Sequence, residues 1–155
     1  MTNQWRHLPA PARPIAAATD AAVTAAREHD AEALTSAVDE LAGQDQAQAG
    51  LILGTTVRLL LELTHPDGLD GDDIRGVLEQ SVRAAAAWQP EVDPHVVLVL
   101  LAGALGVHDD EEPAVRPDAL ARHSALLIAH LLGPRELPEL LALALGEIER
   151  AQLND

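Results

Sequence analysis

Residues 93–107 read DPHVVLVLLAGALGV, and this stretch decides the fold class. Asp93 followed by Pro94 is a strong helix start, because aspartate caps the free amide groups and proline fits the first turn. From Val96 onward the run contains only apolar residues and glycine. A helix that is apolar on all sides belongs in the interior of a protein. We therefore predict a central, buried helix here, with Leu98 in the core.

The sequence on either side of this run is also helical in pattern. Alanine and leucine, both strong helix formers, are abundant, whereas aromatic residues, which favour strands, make up only 1% of the chain. Apolar residues recur at helical spacing, and Asp, Pro and Gly residues mark the expected ends. The predicted helices cover residues 14–28, 31–42, 46–64, about 74–88, 94–107, 117–132 and, after Pro134 or Pro138, a last segment to about 152.

These helices predict an all-α fold, a compact bundle of six or seven helices built from antiparallel helical hairpins. Residues 1–13 are expected to form a flexible, Pro-rich arm, and residues 14–155 a single helical domain. With the first helix set aside, the hairpins begin near residues 30, 72 and 117, a spacing of about 42 to 45 residues that lies in the range of HEAT-like repeats. No residue motif recurs between these units, so HEAT-like stacking is kept only as an alternative.

Two glycines lie one turn apart in the predicted third helix, at positions 50 and 54. Glycine inside a helix costs about 1 kcal/mol relative to alanine. We expect that the missing side chains of Gly50 and Gly54 allow another backbone to approach this helix closely.

The composition excludes several classes of protein. Without cysteine the chain can form neither a disulfide nor a zinc finger. A formal charge of −15, with its ten arginines scattered singly, argues against nucleic-acid binding. The apolar run is shorter than the roughly 20 residues that cross a membrane, and no secretory signal is recognisable. We expect a cytoplasmic protein that binds neither nucleic acid nor membrane, and its bias to Ala, Leu, Arg, Gly and Pro is typical of a GC-rich bacterial genome.

Motifs of catalysis are missing from the sequence. Neither GxSxG nor a phosphate-binding glycine loop occurs. Ser36, Ser81 and Ser124 fall inside predicted helices, where their hydroxyls are expected to bond back to the preceding turn. Glu62 and His65 form a single ExxH at a helix end, whereas di-iron bundles use two such pairs. The sequence therefore predicts no catalytic residue, metal site or cofactor.

Acidic residues cluster in two predicted loops. The loop 67–73 departs from the EF-hand ligand pattern, and acids that precede a helix are favoured by its dipole. The second cluster follows the apolar run and is expected to be a solvated loop that borders the functional surface. It consists of Asp109, Asp110, Glu111 and Glu112.

The histidines and one tryptophan are the remaining candidates for a site. His123 and His130 share a face of the predicted sixth helix but lie two turns apart, too far to hold one metal ion. Because they flank an apolar stripe, we expect positions at the edge of the core. A pH-sensitive contact, or a ligand site completed by another helix, is the alternative. Trp88 ends the stripe of the fourth helix and either covers the core or anchors a partner.

Three functions stay open at this point. The first is a non-enzymatic, acidic helical interaction protein, an adaptor or inhibitor that binds a basic protein partner and also forms a homodimer. The alternative is a small-molecule-binding regulatory domain with an apolar pocket along the fifth helix and His95 or His123 as its polar contact. The third, a metal-dependent enzyme, has the least support. The candidate interaction or pocket residues are Trp88, His95, Asp109, Asp110, Glu111, Glu112, His123 and His130.

Overall fold

The computed structural model describes residues 8–107 and 114–153, and these ranges contain seven α-helices and no strand. The helices are α1 (Arg13–Arg27), α2 (Ala31–Ala42), α3 (Gln46–Thr64), α4 (Gly71–Ala86), α5 (Pro94–Ala104), α6 (Pro117–Leu132) and α7 (Leu137–Leu153). The predicted all-α fold is confirmed, and the helix ends lie within a few residues of those expected from the sequence.

Aspartate side chains begin four of the helices. Asp30, Asp45 and Asp93 each accept a hydrogen bond from a backbone amide of the first turn, at 2.9 to 3.1 Å. Asp70 and Asp73 form a reciprocal capping box at the start of α4. Each cap satisfies a backbone amide that the helix itself leaves unpaired, and therefore fixes where the helix starts.

The segment before α1 is packed in its described part. Ala10–Ala12 form a short 3-10 turn, and Leu8 and Ala12 are buried in the core. The Arg13 Nε atom donates to the Leu8 carbonyl oxygen at 3.0 Å. Residues 8–12 of the arm that was expected to be flexible are thus folded back onto the bundle, which buries Leu8. Residues 1–7 lie outside the described residues.

The central helix is α6, and the prediction that the fifth helix occupies this place is wrong. α6 packs against each of the five preceding helices, and nine of its 16 residues are buried. In α5 only four of 11 residues are buried, and Leu98 is 43% exposed. A helix without polar residues shows no preferred face in its sequence, so the pattern could not reveal that one side of α5 meets solvent.

The helices form a compact bundle and not a stack of hairpins. α2 packs mainly against α1 and α6, and α7 packs mainly against α3. In a stacked repeat each unit would contact only its neighbours along the chain. The compact bundle is therefore confirmed over the HEAT-like alternative.

None of the described helices combines the length and the apolar character that crossing a bilayer requires.

Candidate functional site

The predicted candidates do not come together in one place. Asp109, Asp110, Glu111 and Glu112 lie outside the described residues. His95 is exposed at the first turn of α5, and its backbone amide donates to the Asp93 cap. The remaining three, His123, His130 and Trp88, fall at two different positions in the bundle.

His123 is a structural residue. Its Nε2 atom accepts the backbone N–H of Asp93 at 2.9 Å, and its Nδ1 atom lies 2.7 Å from the Ala119 carbonyl oxygen. Since a carbonyl oxygen only accepts, Nδ1 carries the proton and the ring is neutral. His123 is 4% exposed and joins α6 to the start of α5. Both ring nitrogens are in use, so His123 offers no polar contact to a ligand.

Trp88 and His130 line the same open pocket of about 240 Å³, near the ends of α1, α4 and α6. The Trp88 ring stacks on His29, with ring centroids 4.9 Å apart and an interplanar angle of 10°. His29 has a positive φ of 56°, which is unusual for a residue other than glycine. Sequence reasoning missed His29 because it stands alone in a turn between two helices, and no motif links it to Trp88.

The basic groups around this pocket are explained by helix geometry. Arg27 stands in the last turn of α1, and its Nη2 atom donates to the Gly133 carbonyl oxygen at 3.1 Å. His130 stands in the last turn of α6. A cation at the end of α1, such as Arg27, is stabilised by the unpaired carbonyl groups and the negative end of the helix dipole. Desolvation lowers the pKa of His130 below its ordinary value of 6.5, although the side chain stays accessible to solvent.

The acidic loop before α4 also has a structural explanation. Asp70 accepts the Asp73 amide proton, and this hydrogen bond lowers the pKa of the Asp70 carboxyl group. Asp72 pairs with Arg75, and Glu62 pairs with Arg58 at 3.0 Å. Over residues 8–107 and 114–153, no group of three or more His, Asp or Glu side chains is placed to hold a metal ion.

A second pocket, of about 260 Å³ and also half open to solvent, lies between α3, α5 and α6. Its walls carry no ionisable side chain, and three of its residues are glycines inside helices. We call it the glycine cavity; it is lined by Gly50, Leu53, Gly54, Val57, Val99, Leu100, Gly103, Ala104, Leu120 and Ser124. This cavity lies beside α5, as in the sequence-based alternative, but neither His95 nor His123, the polar contacts expected there, lines it.

The three glycines of this cavity leave empty space. A Cβ atom built at Gly50, Gly54 or Gly103 would meet no atom of a neighbouring element within 4 Å. The expectation that Gly50 and Gly54 admit a close backbone is therefore wrong. Gly103 is exposed and Gly50 and Gly54 are partly exposed, so the space that their missing side chains leave is open to solvent.

Ser124 is the polar residue of the glycine cavity. The residue is 1% exposed, and among the described residues its Oγ atom is the buried side-chain polar atom that lacks a hydrogen-bond partner. Thr19 and Thr56, which are also buried in helices, each donate to the carbonyl four residues earlier at 2.7 Å. The expected bond back to the preceding turn is present at Ser81 but absent at Ser124.

A wider groove of about 620 Å³ adjoins the glycine cavity and shares its three glycines. Arg58 and Glu62 line its outer part, and Arg58 pairs with both Glu62 and Glu147. The hydrogen bond to Glu147, followed by that to Glu62, raises the pKa of Arg58 despite its partial desolvation. The charge of the Arg58 guanidinium is thus already neutralised by two carboxylates.

No family model matches the chain, and neither a curated protein nor a solved structure is significantly similar to it. A function must therefore be inferred from the cavities and side chains of the chain itself.

Proposed function

We propose that this protein is a non-enzymatic regulatory module that binds a small apolar molecule in the glycine cavity. The observation that carries the proposal is the set of three glycines inside helices, none of which contacts a neighbouring element through the position of its missing side chain. Binding by such a cavity requires no metal and no cofactor.

The glycines lower the stability of their helices, and they do not allow a neighbouring element to pack more closely. Gly54 lies in the interior of α3, where glycine is about 1 kcal/mol less favourable than alanine. Apolar surface that stays in contact with water is also unfavourable, and a bound apolar molecule removes that contact. Sequences commonly give up stability at places that serve function, and a ligand that fills this space would recover it.

The size and lining of the cavity suit a small apolar guest. An apolar cavity of about 150 Å³ holds benzene, so the larger volume of 260 Å³ fits a molecule of about two fused rings. Apart from Ser124, the lining residues are aliphatic or glycine. Because no base hydrogen-bonds to the Ser124 hydroxyl, this serine lacks the activation that a nucleophile requires.

A second candidate function is the acidic interaction protein expected from the sequence. It is favoured by the surplus of 25 acidic residues over 10 basic ones, and by leucines that stay exposed, Leu51 at 44% in the groove and Leu98 at 43% on α5. A partner with basic residues around an apolar segment would match this surface. Burial of the same leucines in a homodimer is the self-associating form of this proposal.

Thermal unfolding with naphthalene tests the first proposal. A molecule that binds only the folded state raises Tm, by about 2–4 °C for each kcal/mol in a chain of this size. We expect naphthalene to raise the Tm of the unmodified protein. The variant Gly54→Leu places a side chain in the glycine cavity, and we expect it to remove this rise.

Gly76→Leu provides the matched control. Gly76 is also a helix glycine whose Cβ would meet no neighbour, but it lies in α4, away from the glycine cavity. This variant should keep the response to naphthalene. An absence of any rise in the unmodified protein, or an equal rise in Gly54→Leu, would contradict the proposal.

A further inference from the structure

We infer that the pocket beside Trp88 is a second binding site, which takes a small aromatic monocarboxylate. This Trp88 pocket is the half-open pocket of about 240 Å³ near the ends of α1, α4 and α6. It is lined by Trp88, Arg27, His29 and His130, and its remaining lining residues are Ser81, Leu126 and four alanines. The Trp88 pocket shares no lining residue with the glycine cavity, so the inference stands apart from the proposed function.

The first support is the sign of the charges in this pocket. Arg27, His29 and His130 are bases, and among the described residues no carboxylate joins them in the lining, although the chain carries 25 acidic residues against 10 arginines. Glu28 and Asp30, the acids next to His29 in the sequence, lie outside the lining, and Asp30 caps α2. A pocket that brings bases together without acids suits an anion.

Arg27 supplies the charge that binds the carboxylate. Its side chain is exposed, and its Nη2 atom donates to the Gly133 carbonyl oxygen at 3.1 Å. This contact places the guanidinium beside the end of α6, where His130 also stands, and occupies a carbonyl group that would repel an anion. A guanidinium carries several N–H donors in a planar fork that matches a carboxylate, so donors remain for a ligand.

The bases of the pocket favour a ligand with one negative charge. The Arg27 guanidinium is permanently charged. Desolvation lowers the pKa of His130, so its ring is neutral at pH 7.5 and contributes a hydrogen-bonding group without a charge. The formal charge of −15 opposes anions at long range, but salt screens exposed charges beyond about 8 Å. The lining residues therefore set the preference, and a second negative charge on the ligand would lack a permanent counter-ion.

The walls of the pocket suit an aromatic ring. Trp88 is partly exposed and stacks on His29, whose positive φ of 56° costs energy in a residue other than glycine. The sequence keeps this pair of rings despite that cost, and alanine and leucine side chains supply the apolar surface beside it. An apolar cavity of about 150 Å³ holds benzene, so the volume of 240 Å³ accommodates one ring with its carboxylate.

Three probes of nearly the same shape test the charge preference. At pH 7.5 benzoate is an anion, benzamide is neutral and benzamidine is a cation. Affinities would be measured by calorimetric titration of the full chain. We expect benzoate to bind about tenfold more tightly than benzamide, the effect of a hydrogen bond between charged groups, and benzamidine to bind most weakly. The net negative charge of the protein favours the opposite order, so this order would identify a local basic site.

Two arginine variants locate the basic group. Arg27→Gln should weaken benzoate binding about tenfold and leave benzamide binding unchanged, because glutamine retains a donor but not the charge. Arg150→Gln is the matched control, since Arg150 is also exposed in the last turn of a helix, α7, and lies outside the pocket. It changes the net charge by the same amount and should leave benzoate binding nearly unchanged.

Trp88→Leu tests the aromatic wall. Loss of the ring contact should weaken benzoate and benzamide alike, by about two- to tenfold, so that the ratio of their affinities stays the same. NMR spectra with saturating benzoate should show the largest amide shifts at Arg27, His29, Trp88 and His130, which line the pocket.

Several results would overturn the inference. They are an absence of benzoate binding, a benzoate affinity no higher than that of benzamide, and equal losses in Arg27→Gln and Arg150→Gln. Largest benzoate shifts at Gly50 and Gly54 would place the anion in the glycine cavity and would also overturn it. None of these outcomes removes the proposed function, which the naphthalene response of Gly54→Leu tests separately.

Discussion

His130 is the residue at which pH dependence can be predicted. Desolvation lowers its pKa in the folded state below 6.5, the value expected in the unfolded chain. The unfolded state therefore binds more protons as the pH falls through 6.5, and the stability associated with the neutral ring is present above this pH and lost below it.

An NMR titration of the unmodified protein should give a pKa below 6.5 for the His130 ring. Replacement by glutamine should make the free energy of unfolding less dependent on pH between 7.5 and 5.5. A measured pKa of 6.5 or higher would show that another group near His130 favours its charged form.

The hydrogen-bond partners of single side chains were the features that the sequence predicted least well. His123 was expected at the edge of the core, and it is buried in α6 at 4% exposure. The partner of its Nε2 atom, the Asp93 amide, lies 30 residues away in the chain, so no local pattern could identify it. Ser124 was missed for the opposite reason: a serine in a helix normally bonds to its own helix, and only the three-dimensional arrangement shows that this bond is absent.

At the scale of the helix, the glycines of α3 give a test of stability. Gly54→Ala should raise the free energy of unfolding by about 1 kcal/mol, because alanine is the better helix former and its Cβ meets no neighbour. Gly133→Ala should instead lower the free energy of unfolding, because Gly133 ends α6 with a positive φ of 59° and alanine would be strained there. Urea denaturation measures both, and a loss of stability in Gly54→Ala would show that the space around it is smaller than described.

The orientation of α5 is testable with two aspartate substitutions. Leu98 is 43% exposed, whereas Leu101, one turn away, is fully buried. Leu98→Asp should leave the chain folded, because the charge stays in contact with water. Leu101→Asp should destabilise it by several kcal/mol, because the charge has no partner in the core. Thermal unfolding followed by circular dichroism compares the stability of the two variants. Equal losses of stability would mean that α5 is buried on both sides.

The sequence predicted the helices better than their places in the bundle. Aspartate caps and glycine or proline stops are local signals, and they located the ends of most helices. The wrong prediction that α5, and not α6, is the central helix has a different cause. The polar residues of α6 conceal its burial: Arg122 extends to Gln89 and Thr35, at 3.2 and 3.3 Å, and His123 is satisfied internally. Hydrophobicity alone therefore ranked the two helices in the wrong order.

At the scale of the whole molecule, the expected homodimer stays a prediction. Leu51 of α3 and Leu98 of α5 are exposed apolar side chains of the kind that a second copy would cover. The charge of −15 on each chain opposes this contact, so association should tighten as added salt screens the repulsion. Light scattering at micromolar concentration should give about twice the chain mass of 16.4 kDa, and Leu98→Asp should give a monomer. A monomer under all salt conditions would contradict the dimer without affecting the ligand proposal.

The central claim is that the space between α3, α5 and α6 is a binding site. The most direct measurement is the set of backbone amide shifts in NMR spectra of the labelled full chain, recorded with and without saturating 1-naphthol. The account predicts that the largest shifts occur at Gly50, Gly54, Gly103 and Ser124, which line the glycine cavity. If the largest shifts instead occur around Trp88 and His130, or if no amide shifts at all, the glycine cavity is not the binding site of this protein.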